Sequence, residues 1–164
     1  MRAEIGKYST ALSLLLVLAV MVMIFCFSAE NAEKSGKTSG KIVDAILVLC
    51  CPEYQELSLQ RQTRLRGSLS FAVRKTAHFT EFALLGFSLM LHISLLQKKR
   101  PLRYAPWWTA GIGALYAASD EAHQFFVGGR APSFMDVGID SLGVLFGLGL
   151  LLLVKRIPRK NKRL

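Results

Sequence analysis

Ionisable side chains stand inside two otherwise apolar stretches of this sequence. The stretches are "VRKTAHFTEFALLGF" (residues 73–87) and "SDEAHQFFVGGRAPSFMDVGID" (residues 119–140). Histidine among carboxylates suits proton transfer, and the planar fork of arginine suits binding of phosphate or carboxylate. The candidates for acid–base chemistry are His78, Glu81, Asp120 and Glu121. The candidates for ligand binding are Arg74, Lys75, Gln124, Arg130, Asp136 and Asp140.

Most of these residues follow helical spacing, in which positions three, four and seven apart share one face. The three faces are Arg74, His78, Glu81 and Leu85; Gly113, Ala117, Asp120 and Gln124; and Asp136, Asp140, Gly143 and Gly147. Small residues let helix backbones approach closely, and charges inside a bilayer are unfavourable by several kcal/mol unless they are paired or hydrated. We therefore predict that the three faces meet around one chamber near the outer surface of a membrane. Arg74 and Arg130 are expected to pair with its carboxylates.

The turn between the second and third faces carries Arg130. Gly128 and Gly129 permit backbone conformations that other residues avoid, and their amides can add donors for an anion. Arg130 therefore either binds a phosphate or pairs with Asp136. Lys75 lies off the first face, and we expect its long side chain to reach lipid head groups. The spacing matches no metal-binding signature, so no metal ligand is assigned and cofactor use stays open.

Four apolar blocks are long enough to position these faces in a membrane. Hydrophobic residues make up 52% of the 164 residues, and a bilayer core of about 30 Å needs roughly 20 apolar residues per helix. The sequence predicts one all-α integral membrane domain over residues 1–164, a bundle of four transmembrane helices. The spans are at about residues 10–28, 71–96, 106–126 and 137–155. The first block resembles a signal peptide less than a retained helix, because it is long and lacks small residues at a cleavage site.

The region between the first two spans contains one further apolar segment. A polar stretch from Ser28 is expected to begin as a loop, and an amphipathic helix is expected at about residues 41–51. That segment is too short to cross a bilayer, so we place it externally, on the outer leaflet. His92 lies far from the charged chamber and is expected to be satisfied inside the bundle.

The formal net charge of +10 is a topology signal. With four spans, the face holding both termini and the "QKKRPLR" turn collects 12 of the 21 basic residues and one of the 11 acidic residues. Short basic loops mark the cytoplasmic face, so both termini are predicted to be cytoplasmic in a bacterial cytoplasmic membrane. The basic residues suit anionic lipid, and this placement excludes nucleic acid as a partner.

The two quoted stretches together resemble the VanZ-like family of bacterial membrane proteins. The family pattern of RK-x-x-H-F-x-E, then D-E-x-x-Q-x-F, G-R and a small-residue helix falls on "RKTAHFTEFALLG" and "SDEAHQFFVGGRAPSFMDVGIDSLGVLFG". The resemblance covers nearly the whole chain. One position departs from it, since Asp140 replaces a common asparagine and adds a charge. The resemblance implies a multi-pass protein associated with low-level resistance to the glycopeptide teicoplanin.

Two classes of function fit these residues. In the first, a charged pocket in the outer leaflet binds or modifies an anionic envelope component, with a lipid head group, a lipid-linked wall precursor or a glycopeptide as partner. Arg74 and Arg130 would hold the anion, with His78 as the titratable partner of Glu81, Asp120 and Glu121. In the second, a non-catalytic accessory protein uses its buried charges to organise helices or partner proteins. Enzymatic activity and oligomeric state stay open.

Overall fold

The computed structural model describes residues 2–96, 104–130 and 133–156, with side chains from Tyr8 onwards. The α-helices are α1 (Arg2–Ser28), α2 (Ala32–Cys50), α3 (Leu59–Leu96), α4 (Ala105–Gln124) and α5 (Phe134–Arg156), and a 3₁₀-helix (Pro52–Glu56) joins α2 to α3. No strand occurs among the described residues. The predicted all-α class is confirmed.

Three helices are long and apolar enough to cross a membrane, namely α1 from Tyr8, α3 and α5. Helix α4 has 20 residues, but its last turns carry Asp120 and Glu121. It therefore lacks the continuous apolar composition of a spanning helix, although it packs inside the same bundle. The count of four spans and the external position of the amphipathic segment stay predictions.

Helix α3 is the axis of the bundle, because it packs against each of the other four α-helices. One apolar core joins Val17 and Ile24 of α1 to Phe82 and Leu85 of α3, with Val144 of α5. A second core lies towards the other end of the bundle, where α3, α4 and α5 meet. The outer faces are also apolar: Leu12 is 68% exposed and Leu153 is 61% exposed. Such surfaces are expected of helices that face hydrocarbon.

The backbones of α3 and α5 approach closely at glycine residues. A methyl group added to Gly143 would overlap the carbonyl oxygen of Phe79, and one added to Gly147 would overlap that of Ala83. In the same contact, a methyl group added to Gly86 of α3 would overlap the carbonyl oxygen of Val144 in α5. The predicted role of the small-residue face in helix packing is therefore confirmed for α5.

The loop predicted after Ser28 is wrong, because α2 already begins at Ala32. Asn31 caps the helix, and its side-chain oxygen accepts a hydrogen bond of 2.9 Å from the backbone amide of Lys34. Ser39, Val43 and Leu47 form a buried stripe on α2, which packs on α3. Capping and tertiary packing thus outweigh the low helix propensity of serine, threonine and glycine. The predicted amphipathic segment is only partly buried, because Val43 and Leu47 are buried whereas Leu49 is 81% exposed.

The close contact of α3 and α5 can be tested with a matched pair of glycine substitutions. Gly147→Ala is expected to destabilise the protein by about 1–3 kcal/mol, because the added methyl forces the helices apart. Gly149→Ala, two residues away, meets open space and is expected to be neutral or slightly stabilising. The measurement is the thermal unfolding midpoint of each variant in detergent. Equal midpoints for the two variants would contradict the close approach.

Candidate functional site

The three predicted helix faces meet at one cluster of ionisable residues. His78 of α3, Asp120 of α4 and Asp140 of α5 each place a potential ligand atom within 4.8 Å of the other two. Asp140 is fully buried, Asp120 is 4% exposed, and His78 is partly exposed. The predicted convergence is therefore confirmed for one residue of each face.

Asp120 is held by neighbours on two helices. Its Oδ2 accepts a hydrogen bond of 2.7 Å from the Ser28 hydroxyl at the end of α1. The same oxygen accepts one of 2.9 Å from the side-chain amide of Gln124. Both partners are buried, so this carboxylate is fixed in orientation by the joint between α1 and α4.

Arg130 continues this network from the turn after α4. Its Nη1 donates to Oε1 of Gln124 at 3.1 Å, and its Nη2 donates to the backbone carbonyl of Phe27 at 3.5 Å. Gly129 precedes it with a φ of +77°, which L-residues with side chains rarely adopt. The expected ion pair between Arg130 and a carboxylate is wrong, because the arginine extends towards the end of α1 and bonds neutral groups.

Lys75 forms the ion pair with a carboxylate that the sequence suggested for Arg74 and Arg130. It forms an ion pair with Asp136 in the first turn of α5, and its ammonium lies 5.2 Å from the centre of the Phe71 ring. Lys75 therefore has a partner on α5, and its contact with lipid head groups stays a prediction. The first turn of α5 lies beside α3, so Asp136 is within reach of Lys75, and the side chains of the pair are 16% and 21% exposed.

Glu121 lies outside the cluster. It is 4% exposed, and its Oε2 accepts a hydrogen bond of 2.9 Å from the backbone amide of Ser133. Its side chain borders a separate cavity of about 320 Å³ between α4 and α5, together with Phe134 and Val137. The adjacent positions of Asp120 and Glu121 thus place their carboxylates on different sides of α4.

A pocket of about 180 Å³ opens beside the cluster. From α3 it is lined by Arg74, His78 and Glu81, and Arg130 closes it from the turn after α4. Arg74 is exposed and forms no ion pair within the described parts of the chain. Val73 and Ala77 of α3 add apolar lining, and the other lining residues come from the corner between α1 and α2: Phe27, Glu30, Ser35, Thr38, Ser39 and Ile42.

The contribution of α1 and α2 was missed from the sequence. Ser28 ends α1, whereas Ser35 and Ser39 lie four residues apart in α2 and so share one face of that helix. The spacing of Ser35 and Ser39 is a signal that could have identified these two, but no local signal places Ser28 in the site. Away from the site, Nδ1 of His92 lies 2.9 Å from the Ser13 hydroxyl, so its predicted satisfaction inside the bundle is confirmed.

Comparison with known protein families identifies one match. A family model described as VanZ/LLP1 matches residues 13–155, which include every residue of the cluster and the pocket. No curated protein and no solved structure matches the chain.

The hydrogen bond from Ser28 to Asp120 makes a second matched pair of variants informative. Ser28→Ala removes a buried donor to a carboxylate and is expected to destabilise the protein by about 1.5–3 kcal/mol. The control is Ser119→Ala, because the exposed hydroxyl of Ser119 bonds only the carbonyl of Tyr116 in its own helix. Thermal unfolding in detergent measures the stability of both variants. A Ser28→Ala midpoint as high as that of the control would contradict the stabilising role of the hydrogen bond from Ser28 to Asp120.

Proposed function

Because the chain belongs to the VanZ/LLP1 family, we propose that its pocket binds, or chemically modifies, an anionic component of the bacterial cell envelope. The observation that carries the proposal is the position of Arg74 and Arg130. They come from different segments of the chain, yet both line the same pocket. Two guanidinium groups around one space suit a phosphate, which accepts paired hydrogen bonds from arginine.

The size of the pocket favours a small anionic group. Drug-sized ligands occupy pockets of about 300–1,000 Å³, whereas this pocket measures about 180 Å³. A phosphate-bearing lipid head group, or the phosphate of a lipid-linked wall precursor, therefore fits better than a whole glycopeptide. The lipid tails would remain outside, against the apolar helix faces.

The other lining residues give the pocket a means of proton transfer. His78 and Glu81 lie one and two helical turns beyond Arg74 on the same face of α3, and both line the pocket. Asp120 stands behind His78 in the cluster. Modification of the bound group would use this histidine and these carboxylates as acid and base. Lys75 and Glu121 are engaged elsewhere, so we assign them to the framework.

The membrane arrangement is part of the proposal. In it, α1, α3 and α5 cross the cytoplasmic membrane, and α4 crosses with them because Asp120 and Glu121 are buried inside the bundle. Both termini are then cytoplasmic, and α2 lies on the outer leaflet. Support comes from the end of α2, where Val48 is 78% exposed and Leu49 is 81% exposed. In this orientation the pocket faces outwards, where envelope components are found. The link to teicoplanin resistance stays a prediction from the family resemblance.

The orientation can be tested with the natural cysteines. Cys50, at the end of α2, is exposed, and so is Cys26 on the apolar face of α1. On intact cells, a membrane-impermeant maleimide is expected to label the chain, and Cys50→Ser with Cys51→Ser is expected to abolish labelling. Cys26 lies on the protein surface but faces the hydrocarbon of the membrane in this arrangement. It should therefore stay unlabelled and serves as the internal control for membrane impermeance. Labelling only after cell lysis would place α2 on the cytoplasmic side.

The anion pocket can be tested by comparing two arginines of α3. Arg74→Ala is expected to weaken binding of phosphatidylglycerol about 10- to 100-fold, the value of a charge-assisted hydrogen bond to phosphate. Arg61→Ala removes an exposed arginine of the same helix outside the pocket and is expected to bind as the wild type does. Native mass spectrometry of the purified proteins with added lipid measures both. Phosphatidylcholine is the zwitterionic comparison lipid, and a polyprenyl phosphate represents lipid-linked precursors.

The same experiment separates the pocket from an accessory role. Equal retention of anionic lipid by Arg74→Ala and Arg61→Ala would overturn the pocket. Loss of folded protein in Arg74→Ala, with unchanged lipid binding in the fraction that remains, would support the non-catalytic accessory protein instead. A polyprenyl phosphate that binds more tightly than phosphatidylglycerol would identify a wall precursor as the ligand class.

A further inference from the structure

Asp140 is the buried polar residue whose environment the fold explains least. Its exposed fraction is 0%, and neither carboxylate oxygen has a hydrogen-bond partner within the described residues. A buried carboxylate without partners is strongly unfavourable, so it requires a proton or a nearby positive charge.

The groups that surround Asp140 do not supply that charge. Asp120 brings a second carboxylate, and Nδ1 of His78 is buried without a hydrogen-bond partner. Across residues 8–96, 104–130 and 133–156, neither aspartate forms an ion pair. Lys75 pairs with Asp136, and Arg130 lines the pocket and bonds Gln124, so neither of these cations forms an ion pair with Asp140.

We propose that His78, Asp120 and Asp140 form a binding site for a divalent metal ion of the zinc or manganese class. One imidazole nitrogen with two carboxylates is a donor set that these ions accept, whereas Mg²⁺ and Ca²⁺ prefer oxygen ligands alone. The ion neutralises both aspartates and takes up the unpartnered atoms of Asp140 and His78. The spacing of these residues in the sequence does not predict this site.

The distances are compatible with such an ion after a small adjustment. Ligand atoms about 2.0–2.2 Å from a metal lie roughly 3–4 Å from each other. The three side chains already offer atoms within 4.8 Å of one another. Binding an ion would draw these atoms closer together than they lie in the structure.

Hydrogen bonds from neighbouring residues orient one of the proposed ligands, as is usual around metal ions in proteins. Ser28 and Gln124 donate to Asp120, and Arg130 in turn orients Gln124. Outer hydrogen bonds of this kind fix the direction of a coordinating carboxylate. Beneath the cluster, Gly143 packs on the carbonyl of Phe79, next to His78, and so fixes the separation of α3 and α5. Three protein ligands leave further coordination positions open, and His78 also lines the pocket.

The inference rests on the cluster and does not depend on what the pocket binds, so it is tested without lipid. With an ion in place, His78 and Asp120 would be ligands, and Glu81 would be the acid or base for any modification in the pocket. The protein is purified in detergent, treated with EDTA and dialysed against Zn²⁺ or Mn²⁺, and its metal content is measured by inductively coupled plasma mass spectrometry. The wild type is expected to retain about one ion per chain, and Asp140→Asn at least about tenfold less. Asp44→Asn is the control, because Asp44 is an exposed carboxylate paired with Arg66.

A second measurement keeps the test decisive if Asp140→Asn folds poorly. Re-addition of the metal is expected to raise the unfolding midpoint of the wild type and of Asp44→Asn, but not that of His78→Gln. A wild type that retains less than about a tenth of an ion per chain, with an unchanged midpoint, would overturn the proposal. Full metal content in both Asp140→Asn and His78→Gln would overturn it as well. A proton shared between Asp120 and Asp140 would then explain the cluster.

Discussion

The close approach of α3 and α5 is the constraint on which the site depends. Gly143 and Gly147 let the backbone of α5 lie against the carbonyl groups of Phe79 and Ala83. Side chains of ordinary size at these positions would separate the helices and remove Asp140 from His78. Since α3 also contacts α1, α2 and α4, this one close contact fixes the frame in which all other elements are placed.

Within that frame, the polar residues divide into satisfied and unsatisfied groups. Ser28, Asp120, Gln124 and Arg130 form a continuous hydrogen-bonded chain from α1 through α4 to the following turn. Lys75 and Asp136 form an ion pair. These contacts explain the burial of their members, because a buried charge is tolerated when it is paired and hydrogen-bonded. Asp140 and Nδ1 of His78 have no such explanation, and the inference of a metal site starts from that contrast.

The pocket is a product of the corner between α1 and α2. Asn31 caps α2 just after α1 ends, and the amide of Ala32 donates to the carbonyl of Gly128 in the turn after α4. This contact brings Arg130 over the same space that Arg74 faces from α3. The proposed anion site is therefore built from three segments that are distant in the sequence, and its charge comes from two of them.

Much of the architecture is encoded locally. The all-α class, the three helix faces and the glycine contacts of α5 follow from apolar length and helical periodicity, which are properties of neighbouring residues. Family membership was also visible in the motifs around His78 and Asp120. Local pattern was less informative for α2, because Ser35 and Ser39 have weak helix propensity and depend on packing against α3.

Only the tertiary structure decided which partners the charged residues choose. The sequence could not show that Lys75 pairs with Asp136, that Arg130 bonds Gln124, or that Glu121 turns away from Asp120. It also could not assign Ser28 to the site. Each of these contacts depends on the relative rotation and depth of two helices and on the reach of a flexible side chain. Helical periodicity fixes the face on which a residue lies, but it does not fix the neighbouring helix that this face meets.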